Sequence, residues 1–205
     1  PIKTNTSTSF DVYAPINITF ELPTSLTPND TTKYLLQEKV DTNWVDLDTE
    51  IIKEDSMGLC YKIRHEWKPA TEYQLIIDSA LFTSFVGNVT KKDAFKIKTK
   101  SLEEYSVLIF ELTNFTGKEV IQILNKDDKV IRQQPAIEAK TKFEYIKPDT
   151  YYARLFIDEN GNGIWDTGKY NEKIQPEKVY YFPYDIELRA FWDVEEIWDI
   201  NELPI

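Results

Sequence analysis

Cysteine is almost missing from this sequence. Cys60 stands alone, so no disulfide can form within the chain. The single histidine, His65, excludes zinc sites built on two or three imidazoles. Glycine is scarce, at six in 205 residues. No run approaches the roughly 18 apolar residues of a membrane-spanning helix. Clustered positive charge is missing as well: 24 Lys and Arg stand against 35 Asp and Glu, a formal net charge of −11. That balance excludes a nucleic-acid backbone and a polybasic membrane patch as targets. It reads as a solvated acidic surface. No signal peptide is visible; the chain starts at Pro1 and its one methionine is Met57. The expectation is therefore a processed product or an excised piece whose targeting or anchoring segment has been removed.

What is present is material for strands. Hydrophobic residues make up 41% and aromatics 14%, enough for a real core. Apolar runs alternate with period two, as half-buried strands do. In the first half these are Ile16 to Phe20, Tyr34 to Leu36, Trp44 to Leu47, Cys60 to Arg64, Tyr73 to Ile77 and Phe95 to Thr99. Pro23 and the turn signal Pro28-Asn29-Asp30 punctuate them. In the second half they are Tyr105 to Leu112, Val120 to Leu124, Lys129 to Arg132, Lys142 to Ile146, Tyr151 to Ile157, Val179 to Phe182 and Ile186 to Trp192. Asn125-Lys126-Asp127-Asp128 is a hairpin signal, and Asp193 to Ile200 is read as a short helical turn. Acceptor-like triplets at Asn17, Asn29, Asn88 and Asn114 are read as loop composition. The polar stretch Lys100 to Glu104 separates two unlike strand sets. The expected fold is all-β: two β-sandwich domains in tandem, residues 1–100 and 101–205.

Pro15-Ile16-Asn17-Ile18-Thr19-Phe20 before Pro23, and Trp67-Lys68-Pro69-Ala70-Thr71-Glu72-Tyr73 with Phe82 to Gly87 downstream, resemble bacterial Ig-like domains of the SbsA type. Tyr151-Tyr152-Ala153-Arg154-Leu155 running into Asp158 to Gly168, then Gln175-Pro176-Glu177-Lys178-Val179, is similar to a prealbumin-like sandwich in Bacteroidota lipoproteins. The resemblance implies a periplasmic or surface location, lipid-anchored in the full-length protein, and no established activity.

The sharpest local signal is Asp158 to Gly168, which holds three of the six glycines. Asp158, Asn160, Asn162 and Asp166 fall at positions 1, 3, 5 and 9 of a calcium-loop pattern, and Gly163 at the turn position 6. Ile164 would add its backbone carbonyl at position 7. Position 12, where the pattern places a bidentate Glu, is Lys169; Glu172 follows three residues later. Two readings fit these residues: a Ca2+ site, or an Asx-rich turn in which the side chains cap backbone amides.

Nothing selects a catalytic set. Cys60 and His65 are five apart, which places them on opposite faces of a regular strand. With 35 acids many carboxylate pairs exist and none stands out. Trp165, Trp192, Trp198, Tyr151, Tyr152, Tyr180, Tyr181 and Tyr184 suit either a sandwich core or a sugar-stacking platform, whereas Trp44 and Trp67 read as core of the first domain. The sequence thus points to a non-enzymatic cell-envelope module: a spacer, scaffold or partner-binding segment. The alternative is a carbohydrate-binding module using aromatic side chains of the second domain. The partner is a protein or glycan at the envelope that the residues do not name.

Overall fold

The computed structural model describes residues 1–26 and 34–200; the Pro28-Asn29-Asp30 turn signal lies outside the described residues. The chain is all-β and divides into two compact units, Pro1–Leu102 and Glu103–Ile205.

The first unit contains β1 (Lys3–Thr4), β2 (Ile16–Thr19), β3 (Thr24–Leu26), β4 (Tyr34–Val40), β5 (Asn43–Leu47), β6 (Ile51–Lys53), β7 (Cys60–Ile63), β8 (Glu72–Ile77), β9 (Phe82–Ser84) and β10 (Asp93–Lys98). They form one sheet in the order β1-β2-β7-β6 and a second in the order β10-β8-β4-β5, with β3 paired to β9. Alternation decides which residues meet between the sheets. Ile16, Ile18, Tyr61 and Ile63 from one sheet, and Leu36, Tyr73, Leu75 and Ile77 from the other, are buried in a single cluster. Trp67 joins it, with its indole N–H donated to the Ala14 carbonyl at 2.7 Å. Trp44 does not join it. Leu47 packs on the core, so Trp44, three residues away on β5, faces outward and is 40% exposed.

The second unit contains β11 (Ser106–Thr113), β12 (Glu119–Leu124), β13 (Val130–Pro135), β14 (Lys140–Ile146), β15 (Asp149–Ile157), β16 (Val179–Tyr181), β17 (Ile186–Leu188) and β18 (Asp193–Asp199). One sheet runs β14-β11-β18; the other runs β13-β12-β15-β16, with β17 also paired to β15. Asp193–Asp199 is therefore a strand and not a helical turn. It pairs in parallel with all of Val107–Thr113, and that ladder outweighs any local helical preference. The pairing turns Trp198 inward, where it packs on Phe110 and Phe182. The Asn125–Asp128 signal forms a hairpin turn, with Asn125 Oδ1 accepting from the amides of Asp127 and Lys129. Of the acceptor-like triplets, Asn17 lies within β2 and Asn114 holds left-handed backbone at φ 61°. Asn29 lies outside the described residues.

Phe110 is fully buried and makes aromatic contacts with Phe143, Phe182 and Trp198. Phe110→Ala is expected to cost the second unit about 3–5 kcal/mol, the usual range for a buried aromatic. Urea denaturation checks this; a loss below about 1 kcal/mol would mean that the core is not organised around this ring.

Candidate functional site

The loop at Asp158–Gly168 follows β15 directly. Asp158 is itself buried, and its carboxylate organises the turn. Oδ1 accepts from the amides of Gly161 (2.7 Å) and Asn162 (3.2 Å), and Oδ2 accepts from Gly163 (2.7 Å). The next two side chains repeat the device on a shorter span. Asn160 Oδ1 accepts from the Asn162 amide at 3.0 Å, and Asn162 Oδ1 accepts from the Ile164 amide at 2.7 Å. Both asparagine amide groups donate to Asp166 Oδ2. Asn160, Asn162 and Asp166 are thus brought together, while Asp158 is engaged with the backbone between them.

Glu172 does not reach this cluster; its carboxylate pairs with Lys169. Glu177 does. Its two oxygens accept from the amides of Glu159 (2.8 Å) and Asp166 (3.0 Å), and its carbonyl accepts from the Trp165 indole. Sequence spacing could not find Glu177, because it lies 11 residues past Asp166 and returns through the turn at Tyr170–Glu172. The donor set is two carboxylates, two amides and the neighbouring Glu177, all hard oxygens of the kind calcium takes. Among the described residues no three Asp, Glu, His or Cys side chains form a metal cluster.

The loop also covers part of a sheet. β12 is buried along its whole length. Ile121 and Ile123 face the core, whereas Val120 and Leu124 point to the opposite side and are buried there too. The Asp158 amide donates to the Lys118 carbonyl, and the Gly163 carbonyl accepts from Gln133 Nε2 on β13 at 2.7 Å. The loop therefore crosses over β12 from β15 to β13. Beyond the crossing, the aromatics divide. Trp198 and Tyr151 are buried and Tyr180 packs on the core. Trp165, Trp192, Tyr152, Tyr181 and Tyr184 are exposed.

Cys60 and His65 are not two positions of one strand. Cys60 lies on β7, with its amide held by Asp55. His65 lies past the end of that strand and is wedged edge-on against Trp67 and Tyr73, with ring centroids at 5.0 and 5.9 Å. It is half-buried. Burial lowers its pKa below the ordinary 6.5; Glu38 opposes the shift, Lys68 adds to it and Glu66 opposes it. Glu38, buried on β4, has both carboxylate oxygens on the Lys68 ammonium at 2.7 and 3.0 Å.

Two outcomes follow from this geometry. Gly161 and Gly168 both hold positive φ, at 75° and 78°. A Cβ at Gly161 meets open space, whereas one at Gly168 falls 2.6 Å from the Ile174 carbonyl oxygen. Gly161→Ala is expected to cost about 1–2 kcal/mol, the left-handed penalty alone, and Gly168→Ala more, read as paired thermal melts; the reverse order would contradict the turn. For His65, the folded state binds its proton less readily than the unfolded state. Its contribution to stability is fully present above the ordinary pKa of 6.5 and is lost as the pH falls through the lowered folded value. Melts of wild type and His65→Gln between about pH 7 and pH 5 should show a steeper loss in wild type; parallel curves would contradict it.

No family model matches the chain, and no curated protein does. Solved structures with similar arrangements include native alpha-2-macroglobulin from Escherichia coli spanning domains MG0-NIE-MG1, at 13% identity, 88% of this chain, 69% of that one and TM-score 0.38. The major pilin subunit BcpA*(D312A) of Bacillus cereus matches at 9% identity over 97% of this chain and 68% of that one, TM-score 0.35. The FN1–FN3 domains of chicken CNTN1 match at 14% identity over 88% and 64%, TM-score 0.24. These likenesses transfer neither a family nor an activity to this chain; the all-β architecture rests on its own strands and sheets.

Proposed function

We propose that this chain is a non-enzymatic module of a cell-envelope protein, a spacer or partner-binding segment, with Asp158–Gly168 as a calcium-stabilised turn. One observation carries the reading: the buried acids and the half-buried Asp55 are engaged in holding turns or an ion pair. Glu119 accepts from the amides of Thr116, Gly117 and Lys118 and from the Thr116 hydroxyl. Asp158 accepts from three amides of its own loop, and Asp55 from those of Met57, Leu59 and Cys60. Glu38 is neutralised by Lys68. A general acid or base needs a carboxyl free to exchange its proton with a substrate, and these are committed to the backbone or to an ammonium. The SbsA-like and prealbumin-like sequence features support a periplasmic or surface location for such a module, in a lipid-anchored Bacteroidota protein. No helix among the described residues is long and apolar enough to cross a membrane.

Calcium fits the loop because Asp158, Asn160, Asn162 and Asp166 offer hard oxygens at alternate positions and Ile164 offers a carbonyl. With Lys169 where the bidentate Glu belongs, the Kd belongs near the weak, extracellular range of about 10⁻⁴–10⁻³ M. Calcium at 100 times the Kd would then stabilise the fold by about 2.7 kcal/mol. Thermal melts in Ca2+ against chelator are expected to show a rise in Tm for wild type and none for Asp166→Asn, which keeps the side-chain volume. Equal midpoints for wild type in both buffers would leave the loop a turn and nothing more. Turnover of esterase, glycosidase or peptidase substrates, lost on mutating one of the acids above, would overturn the non-enzymatic reading.

A further inference from the structure

The outer face of the sheet β13-β12-β15-β16 carries a polar row that crosses all four strands. Register sets Gln133 opposite Gln122, Gln122 opposite Arg154, and Arg154 opposite Tyr181. The side chains are linked in the same order. Gln122 Nε2 donates to Gln133 Oε1, Arg154 Nε donates to Gln122 Oε1 at 2.6 Å, and Arg154 Nη1 lies 3.5 Å from the Tyr181 hydroxyl. Gln122 is buried, so the row is built into the sheet and not draped on it. Tyr152 lies two residues before Arg154 on the same face, diagonal to Tyr181. Both rings are about half in solvent, at 43% and 48% exposure. The Asp158–Gly168 loop bounds the row at Gln133, and the hairpin tip at Asp128 bounds it beside Arg154.

Charge sets this face apart. The chain carries 35 acids. Yet among the described residues the outward positions of these four strands hold none, and Arg154 is their cation. Acids stand at the margins. Asp128 Oδ2 is 3.9 Å from Arg154 Nη1 and largely solvated, and Glu187, opposite Thr150, is paired with Arg189. On a surface of net −11, strand positions without an acid around one guanidinium, whose Asp128 partner is weakly held and largely solvated, are complementary to an anion.

We propose that this face binds a uronic-acid-bearing oligosaccharide. The Tyr152 and Tyr181 rings receive the C–H faces of sugar rings. Arg154, its Nε fixed by Gln122, pairs with the carboxylate. Gln133, exposed at the end of the row, offers an amide group to a hydroxyl. A linear acidic peptide would use the guanidinium but would gain little from two flat aromatic faces. The site deepens the partner-binding reading above and rests on it.

The test uses the whole 205-residue chain with three probes: a galacturonate oligosaccharide, a neutral gluco-oligosaccharide of equal length, and poly-glutamate. Binding is read by calorimetry, and release of reducing ends is followed in the same samples. The acidic sugar is expected to bind most tightly, and more weakly as salt rises. Tyr152→Ala and Tyr181→Ala should each weaken it about tenfold, the upper end for one lost aromatic contact. Arg154→Gln should abolish the preference for acidic over neutral sugar, with an unchanged melt showing that the fold survives. Tyr170→Ala, at a side chain 97% exposed on another loop, should have no effect. No binding of the acidic sugar, binding indifferent to both tyrosines, or equal binding of poly-glutamate would overturn the site. New reducing ends would overturn the non-enzymatic reading instead.

Discussion

The second unit turns on one buried carboxylate. Asp158 ends β15 and gathers the amides of Gly161, Asn162 and Gly163 within hydrogen-bonding distance. That fixes the next residues as a tight turn, which carries the Gly163 carbonyl across β12 to Gln133. Once the loop is there, Val120 and Phe156 are sealed on a side of the sheet that would otherwise be wet. β12 is then buried on both faces along its length, while Tyr152 and Tyr181 on the strands beside it stay exposed. One side chain thus organises the cover over this part of the sheet.

The same economy of acids recurs in both units. Asp55 gathers the amides of the turn before β7 as Asp158 does after β15, and Glu119 gathers those before β12. Hydrogen bonds from several amides favour the charged form; for Asp55 they hold the carboxyl below its usual range, with the Leu59 amide contributing most. A chain with few glycines and no disulfide needs some device to hold its turns, and capping carboxylates supply it. They also explain part of the acidic composition without invoking a cationic ligand.

Much of this was legible in the sequence where the determinant is local. Period-two alternation marks β8, β11 and β15, because each has one face against a core. The Asp158–Gly168 turn is legible because its partners lie within a few residues. What alternation cannot show is partnership. The three-residue strands β3, β6 and β9 are too short to carry a period. Trp44 looks like core by residue type, but its parity relative to Leu47 turns it to solvent. β18 looks helical by local spacing until its ladder with β11 is counted. The Gln133–Gln122–Arg154–Tyr181 row joins four strands drawn from some 60 residues of chain, so only register assembles it. Glu177 is in the same position, brought to the loop by a turn that no spacing rule predicts.

The most direct measurement of this account is amide hydrogen exchange on the intact chain, in wild type and Asp158→Ala. If Asp158 anchors the loop across β12, the Gly161 and Gly163 amides are protected in wild type despite lying in a surface turn. In the variant they should exchange freely, and Val120 and Phe156 should lose protection with them while Leu108 on β11 keeps its own. Unprotected Gly161 and Gly163 amides in wild type, or a variant in which the β12 amides are unchanged, would contradict it.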